Sequence, residues 1–215
     1  MNNKIILSKE KLQGLINSSY MTNEDAKKIG KSLGFKLIHK LSSRDQKVFL
    51  DNQGNPFIAY TGSRKFTDFA ITDPALLMGF HGFTPRFRKS QALAEKVRSR
   101  YHKPITMVGS SLGGSLSEYS ANKEDKVITM NKGIGFTQIG KKIHDKQTDL
   151  RSPTDLISMF SNLQRGGKKI DIDGSFSVNP LVSHNSSHLS KIRSDYWNIN
   201  DARTNNKFRE FRGEL

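Results

Sequence analysis

The sequence predicts an α/β fold in which a central, mainly parallel sheet carries helices on both faces. Short apolar segments alternate with amphipathic ones between residues 57 and 130, in the order strand, helix, strand, helix, strand. This alternation favours parallel strands joined by crossover helices. The chain has 215 residues, which is enough for one medium-sized domain with a buried core.

The first sixty residues predict two helices, a strand and a hairpin. Thr22 and Asp25 have the spacing of a capping box, and the helix that they begin is expected to end near Gly34. Residues 35–41 alternate between apolar and polar side chains, as a strand does. The segments QKVFLD and PFIAY flank the turn-rich sequence DNQGN and predict a β-hairpin.

The middle of the chain predicts the parallel part of the sheet. Residues 88–101 form an amphipathic helix that Pro104 ends. The remaining predicted elements are strands at 105–108, 127–130 and 169–172 and helices at 111–121, 158–163 and 188–193. We expect a main domain at residues 35–195, a helical N-terminal extension at 1–34 packed on it, and a polar tail at 196–215.

Composition limits the classes of partner and site. Lysine and arginine number 35 against 20 aspartates and glutamates, a formal charge of +15 that favours anionic partners. The chain has no cysteine, which excludes disulfides, thiolate metal sites and a cysteine nucleophile. The apolar run at residues 5–7 is too short for a signal peptide or a membrane span, so we expect a cytoplasmic or virion-associated protein.

The most informative segment is the G-x-S-x-G pattern formed by Gly109, Ser110, Ser111, Leu112 and Gly113. It follows a short apolar strand and precedes a helical segment, which is the context of a serine nucleophile at a sharp strand-to-helix turn. Small residues two before and two after the serine let the strand and the helix approach closely. The N–H of Leu112 would then point toward the reacting atoms from a helix N-terminus, where negative charge is favoured.

Two segments resemble the class 3 (fungal-type) lipases of the α/β-hydrolase superfamily. VGSSLGGSLS is similar to the nucleophile segment of that family, and IAYTGSRKFTDFAITD at residues 58–73 is similar to its strand and Arg-Gly-Ser/Thr turn. The resemblance covers about residues 45–190 and implies an α/β-hydrolase fold. Thr61 stands where the family usually has arginine, and Ser110 stands where it usually has histidine.

The resemblance also implies roles for individual residues. Ser111 would be the nucleophile, and Ser63 and the N–H of Leu112 would form the oxyanion hole. The apolar segment at residues 74–87 either packs in the core or forms a lid or acyl-chain wall over the site. The lid or wall residues would be Leu76, Leu77, Met78, Phe80 and Phe83.

A serine nucleophile needs a base, and the base needs a carboxylate that orients it. In this superfamily the chain order is serine, aspartate, histidine, so the base is expected late in the chain. His184 and His188 lie in a predicted loop, and the resemblance favours His184 with His188 as runner-up. His144 is discounted because its charged segment KKIHDK is typical of a solvated surface. The candidate carboxylates, in order of preference, are Asp155, Asp149, Asp171 and Asp173.

These observations predict a serine esterase or lipase with a Ser-His-Asp triad, acting on a glyceride, a phospholipid or another ester. Such a mechanism needs no cofactor, and the sequence has no cluster with metal-ligand spacing. The basic surface would favour peripheral contact with an anionic membrane. The alternative is a catalytically inactive protein of the same fold that binds polyanions or has a structural role in a virion. Nucleic acid is the less favoured partner.

Overall fold

A seven-stranded mixed sheet forms the centre of the computed structural model, which describes residues 7–63, 85–134, 138–152 and 160–171. The strands lie in sequence order; the first three are antiparallel, and the third to the seventh are parallel. The strands are β1 Phe35–Leu37, β2 Gln46–Asp51, β3 Pro56–Tyr60, β4 Thr106–Ser110, β5 Lys126–Met130, β6 Gln147–Arg151 and β7 Lys168–Asp171. The fold is therefore of the α/β class, as the alternating pattern predicts.

Helices cover both faces of this sheet. The described helices are α1 Lys9–Ser19, α2 Asn23–Ser32, α3 Pro85–Tyr101 and α4 Leu112–Ser120, with 3-10 turns at His39–Leu41 and Phe160–Leu163. Because neighbouring residues of a strand point to opposite faces, β3 contributes to two cores. Phe57 and Ala59 pack with the apolar residues of α1, whereas Ile58 and Tyr60 pack with those of α3 and α4.

The N-terminal helices agree with the sequence prediction. Thr22 is the N-cap of α2, and its Oγ1 accepts a hydrogen bond of 3.2 Å from the N–H of Asp25. Leu12, Leu15 and Ile16 of α1 are fully buried against the sheet. The predicted hairpin is also present, since Gln46 pairs with Tyr60 and Leu50 pairs with Pro56 in antiparallel register.

The predicted strand at 35–41 is wrong beyond Leu37. The chain turns there because Ser42 makes two bonds: its Oγ donates to the carbonyl of Ile38 at 2.9 Å and accepts from the N–H of Val48 at 3.0 Å. The predicted helix at 88–101 starts too late. Helix α3 begins at Pro85, where a proline needs no helical N–H partner, and Phe87 is buried.

The sequence does not predict β6, because four of its five residues, QTDLR, are polar. All five are buried nevertheless. The predicted helix at 158–163 is a 3-10 turn at Phe160–Leu163, and the predicted strand at 169–172 is β7. The predicted helix at 188–193 lies outside the described residues. Among the helices in the described part of the chain, none is long and apolar enough to cross a membrane.

Candidate active site

Ser111 occupies a sharp turn between the carboxyl end of β4 and the first residue of α4. Its backbone has φ 54° and ψ −127°, a region that residues other than glycine rarely adopt. The turn is fixed on both sides: the N–H of Ser111 donates to the carbonyl of Met130 on β5, and the carbonyl of Ser111 accepts from the N–H of Gly114, both at 3.0 Å. The side-chain hydroxyl of Ser111 makes no capping hydrogen bond to α4.

The two glycines of the pattern allow strand and helix to touch. A Cβ atom on Gly109 would overlap the backbone of Gly113, and a Cβ atom on Gly113 would overlap the carbonyl oxygen of Tyr60 on β3. These contacts involve backbone atoms, which cannot move aside as a flexible side chain can. Both positions therefore need a residue without a side chain, as the G-x-S-x-G pattern predicts.

A second turn, Thr61–Ser63, follows β3 and lies beside the first. Strands β3 and β4 are parallel neighbours, so their carboxyl ends meet at the same edge of the sheet. A Cβ atom on Gly62 would be 3.4 Å from the Cβ of Ser111 and 2.7 Å from the carbonyl oxygen of Ser110. Ser63, which comes next in the chain, is half-buried. The structure thus brings the turn that carries Ser63 to the nucleophile candidate.

Leu112 is the first residue of α4, so its N–H has no acceptor within the helix. The N-terminal end of a helix carries partial positive charge, which stabilises an anion placed there. The turn at Ser111 therefore combines a hydroxyl with an adjacent N–H donor at one sheet edge.

Several side chains hold the Thr61–Ser63 turn in place, and none of them is predicted from the sequence. Thr61 is fully buried, and its Oγ1 donates to the carbonyl of Ser19 at 2.6 Å. Arg86, in the first turn of α3, donates to the carbonyls of Thr61 and Gly62. The hydroxyl of Tyr20 accepts from the N–H of Gly62 at 3.0 Å. No local sequence pattern marks Tyr20 or Arg86, because each acts across a long chain separation.

The histidines in the described ranges do not reach Ser111. His102 precedes β4 and His144 precedes β6, so both lie at the amino edge of the parallel strands, opposite Ser111. His39 follows β1, which is three strands from β4, or about 14 Å at the usual spacing between strands. His144 is therefore too far from Ser111 to be its base, because the two residues lie at opposite edges of the sheet. His81 and both base candidates, His184 and His188, lie outside the described residues.

The preferred carboxylate, Asp155, also lies outside the described residues, and the chain before it is described up to Ser152. Strand β6 ends at Arg151, at the same edge as Ser111, and the N–H of Ser152 donates to Oδ1 of Asn131 at 2.7 Å. Asn131 follows β5 and has a positive φ of 47°. This bond joins the ends of β5 and β6, so the chain leaves β6 two strands from Ser111.

Asp149, the runner-up carboxylate, is engaged elsewhere. It is fully buried in β6, where Oδ1 accepts from Oγ1 of Thr129 at 2.6 Å and from Nε2 of Gln147 at 2.7 Å. Its Oδ2 lies 2.9 Å from Nζ of Lys132, which also pairs with Glu118 of α4. Both carboxylate oxygens are thus used inside the core, and the structure gives Asp149 a role in packing.

This ionic cluster extends toward β7. The side-chain amide of Gln164 donates to Glu118 at 3.0 Å, and Nζ of Lys169 donates to the carbonyl of Gln164 at 2.5 Å. Partial burial, followed by the positive charge of Arg151, lowers the pKa of Lys169 below its ordinary value. Gln164 therefore connects the ionic cluster on α4 and β6 to Lys169 of β7.

Of the other residues that the sequence predicts for the site, most lie outside the described part of the chain. The other carboxylates named, Asp171 and Asp173, lie at the end of β7 and outside the described residues respectively. The lid or acyl-wall residues Leu76, Leu77, Met78, Phe80 and Phe83 are likewise outside them. Within the described residues, no group of three or more histidine, aspartate or glutamate side chains could hold a metal ion.

Comparison with known proteins adds no family assignment. No protein-family model matches the chain, and no curated protein is significantly similar to it.

Proposed function

We propose that this protein is a serine hydrolase of the α/β-hydrolase type that cleaves carboxylic esters, with lipid esters as the favoured substrates. The observation that carries the proposal is the backbone of Ser111, which holds a positive φ at a strand-to-helix turn. Such strain persists only where the surrounding structure enforces it, and it is concentrated at functional sites. Here backbone hydrogen bonds to Met130 and from Gly114 hold Ser111 in place, and Gly109 and Gly113 are in close contact on either side of it.

The proposed reaction proceeds through an acyl-enzyme. Oγ of Ser111 attacks the ester carbonyl carbon while an imidazole, assigned to His184 or His188, takes the hydroxyl proton. The carbonyl oxygen becomes an oxyanion that accepts hydrogen bonds from the N–H groups of Ser63 and Leu112. The carbon–oxygen bond to the alcohol breaks, and the imidazolium returns its proton to the leaving alkoxide. Water then releases the acid from Ser111.

Asp155 would orient the imidazole and stabilise its cationic form. Its place in the chain supports this role, because β6 ends at the edge where Ser111 lies. The class 3 lipase-like sequence segments and the apolar residues at 74–87 support an acyl substrate. The basic surface supports peripheral contact with anionic lipid, to which each well-placed lysine or arginine contributes about 1 kcal/mol.

Labelling with a fluorophosphonate probe tests the nucleophile. The wild-type protein is expected to form a covalent adduct at Ser111, and Ser111→Ala is expected to form none. Ser99→Ala, at an exposed position of α3, is the matched control because it removes a hydroxyl far from the turn. Equal labelling of wild type and Ser111→Ala, or no labelling of folded wild type, would overturn the proposal.

The same assay distinguishes the two candidate bases. Replacement of the true base by alanine should lower the labelling rate by at least about 100-fold, since general-base assistance contributes that much or more. Replacement of the other late histidine should leave the rate within about twofold of wild type. His144→Ala is the control, because His144 lies at the opposite edge of the sheet. Unchanged rates in both late variants would exclude His184 and His188 as the base.

A second function, polyanion binding, is favoured by the outer face of α3. Arg88, Lys89, Lys96 and Arg100 are exposed on this helix, and Glu95 is the only acidic residue between Pro85 and Tyr101. If this face carried the function, duplex DNA would bind with a steep salt dependence, and replacement of these four cations by glutamine would reduce the slope. Binding without salt dependence would exclude it.

A further inference from the structure

One hydroxyl group joins the two turns of the candidate site. Tyr20 follows the last residue of α1, and its hydroxyl oxygen lies 3.0 Å from the N of Gly62 and 3.2 Å from Oγ of Ser110. Gly62 directly precedes the proposed oxyanion donor Ser63, and Ser110 directly precedes the proposed nucleophile Ser111. A single side chain from the N-terminal helical segment therefore contacts both functional turns, one residue away from each functional residue.

We propose that Tyr20 is a positioning residue that sets the separation between the Ser111 hydroxyl and the oxyanion-binding turn; this inference rests on the proposed hydrolase function. The bond with Gly62 fixes the orientation of the peptide unit next to Ser63. The contact with Ser110 ties the same oxygen to β4. Movement of either turn would lengthen one of these two bonds.

The tyrosine is itself held in place by its own helix. Leu15 and Ile16 of α1 are buried in the core, and the carbonyl of Ser19 accepts the hydrogen bond from the buried hydroxyl of Thr61. The backbone N–H of Tyr20 donates to the carbonyl of Asn17 at 3.1 Å. The backbone that carries Tyr20 is therefore held in place by α1 and by Thr61. A residue that positions other groups needs such a fixed backbone.

The expected effect follows from the geometry of acyl transfer. Oxyanion donors act when they lie about 2.7–3.1 Å from the developing charge, and loss of one donor costs about 10²–10³ in rate. Tyr20 does not touch the substrate in this scheme, so its loss should displace a donor rather than remove it. We expect a smaller loss, of about tenfold, in the chemical step.

The test compares Tyr20→Phe with wild type in fluorophosphonate labelling. The maximal labelling rate and the probe concentration at half-maximal rate are measured separately, and the fraction of reactive sites is titrated. Tyr119→Phe is the matched control, because Tyr119 packs edge-on against Phe87 between α3 and α4, away from the two turns. Thermal unfolding of all three proteins is recorded in parallel.

We expect Tyr20→Phe to lower the maximal rate about tenfold while the half-maximal concentration and the fraction of reactive sites stay within twofold of wild type. A purely structural role would instead lower the fraction of reactive sites and leave their rate unchanged, and that result would overturn the inference. Equal maximal rates in Tyr20→Phe and wild type would overturn it as well. Wild-type protein that does not label at all would overturn the proposed function and this inference together, so the two failures are distinguishable.

Discussion

The polar side chains at the carboxyl edge of the sheet differ in their pairing from those buried at β5 and β6. At the edge, the strained backbone of Ser111 presents a hydroxyl that caps no helix. Beneath β5 and β6, the fully buried Asp149 has both oxygens engaged by Thr129, Gln147 and Lys132. At the edge the backbone of Ser111 is strained and its hydroxyl makes no capping bond, whereas in the interior both carboxylate oxygens of Asp149 are paired.

This difference distinguishes a candidate catalytic residue from a structural one, which residue type alone does not. A serine and an aspartate from the same chain are both plausible triad members by sequence. Ser111 has a strained backbone, which costs about 1–3 kcal/mol, and this strain supports its assignment as the proposed nucleophile. Both carboxylate oxygens of Asp149 are paired inside the core, which makes its burial possible.

The largest expected effect concerns the interior. Lys132→Met leaves the fully buried Asp149 and the partly exposed Glu118 without their shared cation, so the free energy of unfolding should fall by about 3–5 kcal/mol. Chemical denaturation measures this change. Lys146→Met is the control: it breaks an exposed pair with Glu124, at 3.2 Å, and should cost less than about 1 kcal/mol. Similar losses in both variants would contradict the structural role of the cluster.

An intermediate effect is expected where helix and strand touch at the edge. In Gly113→Ala the new methyl group overlaps the carbonyl oxygen of Tyr60, which should lower the free energy of unfolding by about 2–3 kcal/mol and abolish labelling of Ser111. In Gly114→Ala the new atom lies 3.1 Å from the Cβ atoms of Lys132 and Thr129, so these neighbours need to shift by only a few tenths of an ångström. The adjacent variant should therefore cost less than about 1 kcal/mol and remain reactive, because alanine also favours the helix. Denaturation and labelling are measured on both, and equal costs would count against the close approach.

The smallest effect tests the strain itself. Ser111→Gly should raise the free energy of unfolding by about 0.5–1 kcal/mol, since glycine adopts positive φ without penalty, while labelling is lost. His102→Gly is the comparison, because His102 has φ 52° at an exposed position without a proposed role. It should gain similar stability with no loss of labelling. A destabilised Ser111→Gly protein would show that the turn at this residue stores no strain.

Local patterns in the sequence predict much of the fold. The spacing of Thr22 and Asp25 predicts the start of α2, and the QKVFLD and PFIAY segments predict the hairpin, because capping and alternation depend on near neighbours. Strand β6 escapes prediction because four of its five residues are polar, and the partners that pair the buried Asp149, Lys132 and Thr129, come from elsewhere in the chain. The early start of α3 is missed because Pro85 and Phe87 resemble the apolar segment before them.

The residues of the candidate site also fall into two groups: those that local sequence patterns predict and those that they do not. The G-x-S-x-G pattern predicts a turn at Ser111 from residues within five positions, and the segment at 58–73 points to Ser63. Tyr20 and Arg86 carry no such signal, because their bonds to Gly62 span 42 and 24 positions of the chain. The choice between His184 and His188 and the role of Asp155 stay predictions.

Local sequence patterns are enough to predict the strand-to-helix turn at Ser111, the hairpin and the N-terminal helices, because backbone conformation and capping depend on residues a few positions apart. Three facts come from the folded arrangement alone: Thr61–Ser63 lies beside Ser111, Tyr20 contacts both turns, and Asp149 belongs to the core. Those facts depend on which strands become neighbours, and that pairing follows from burial and charge pairing over the whole sheet.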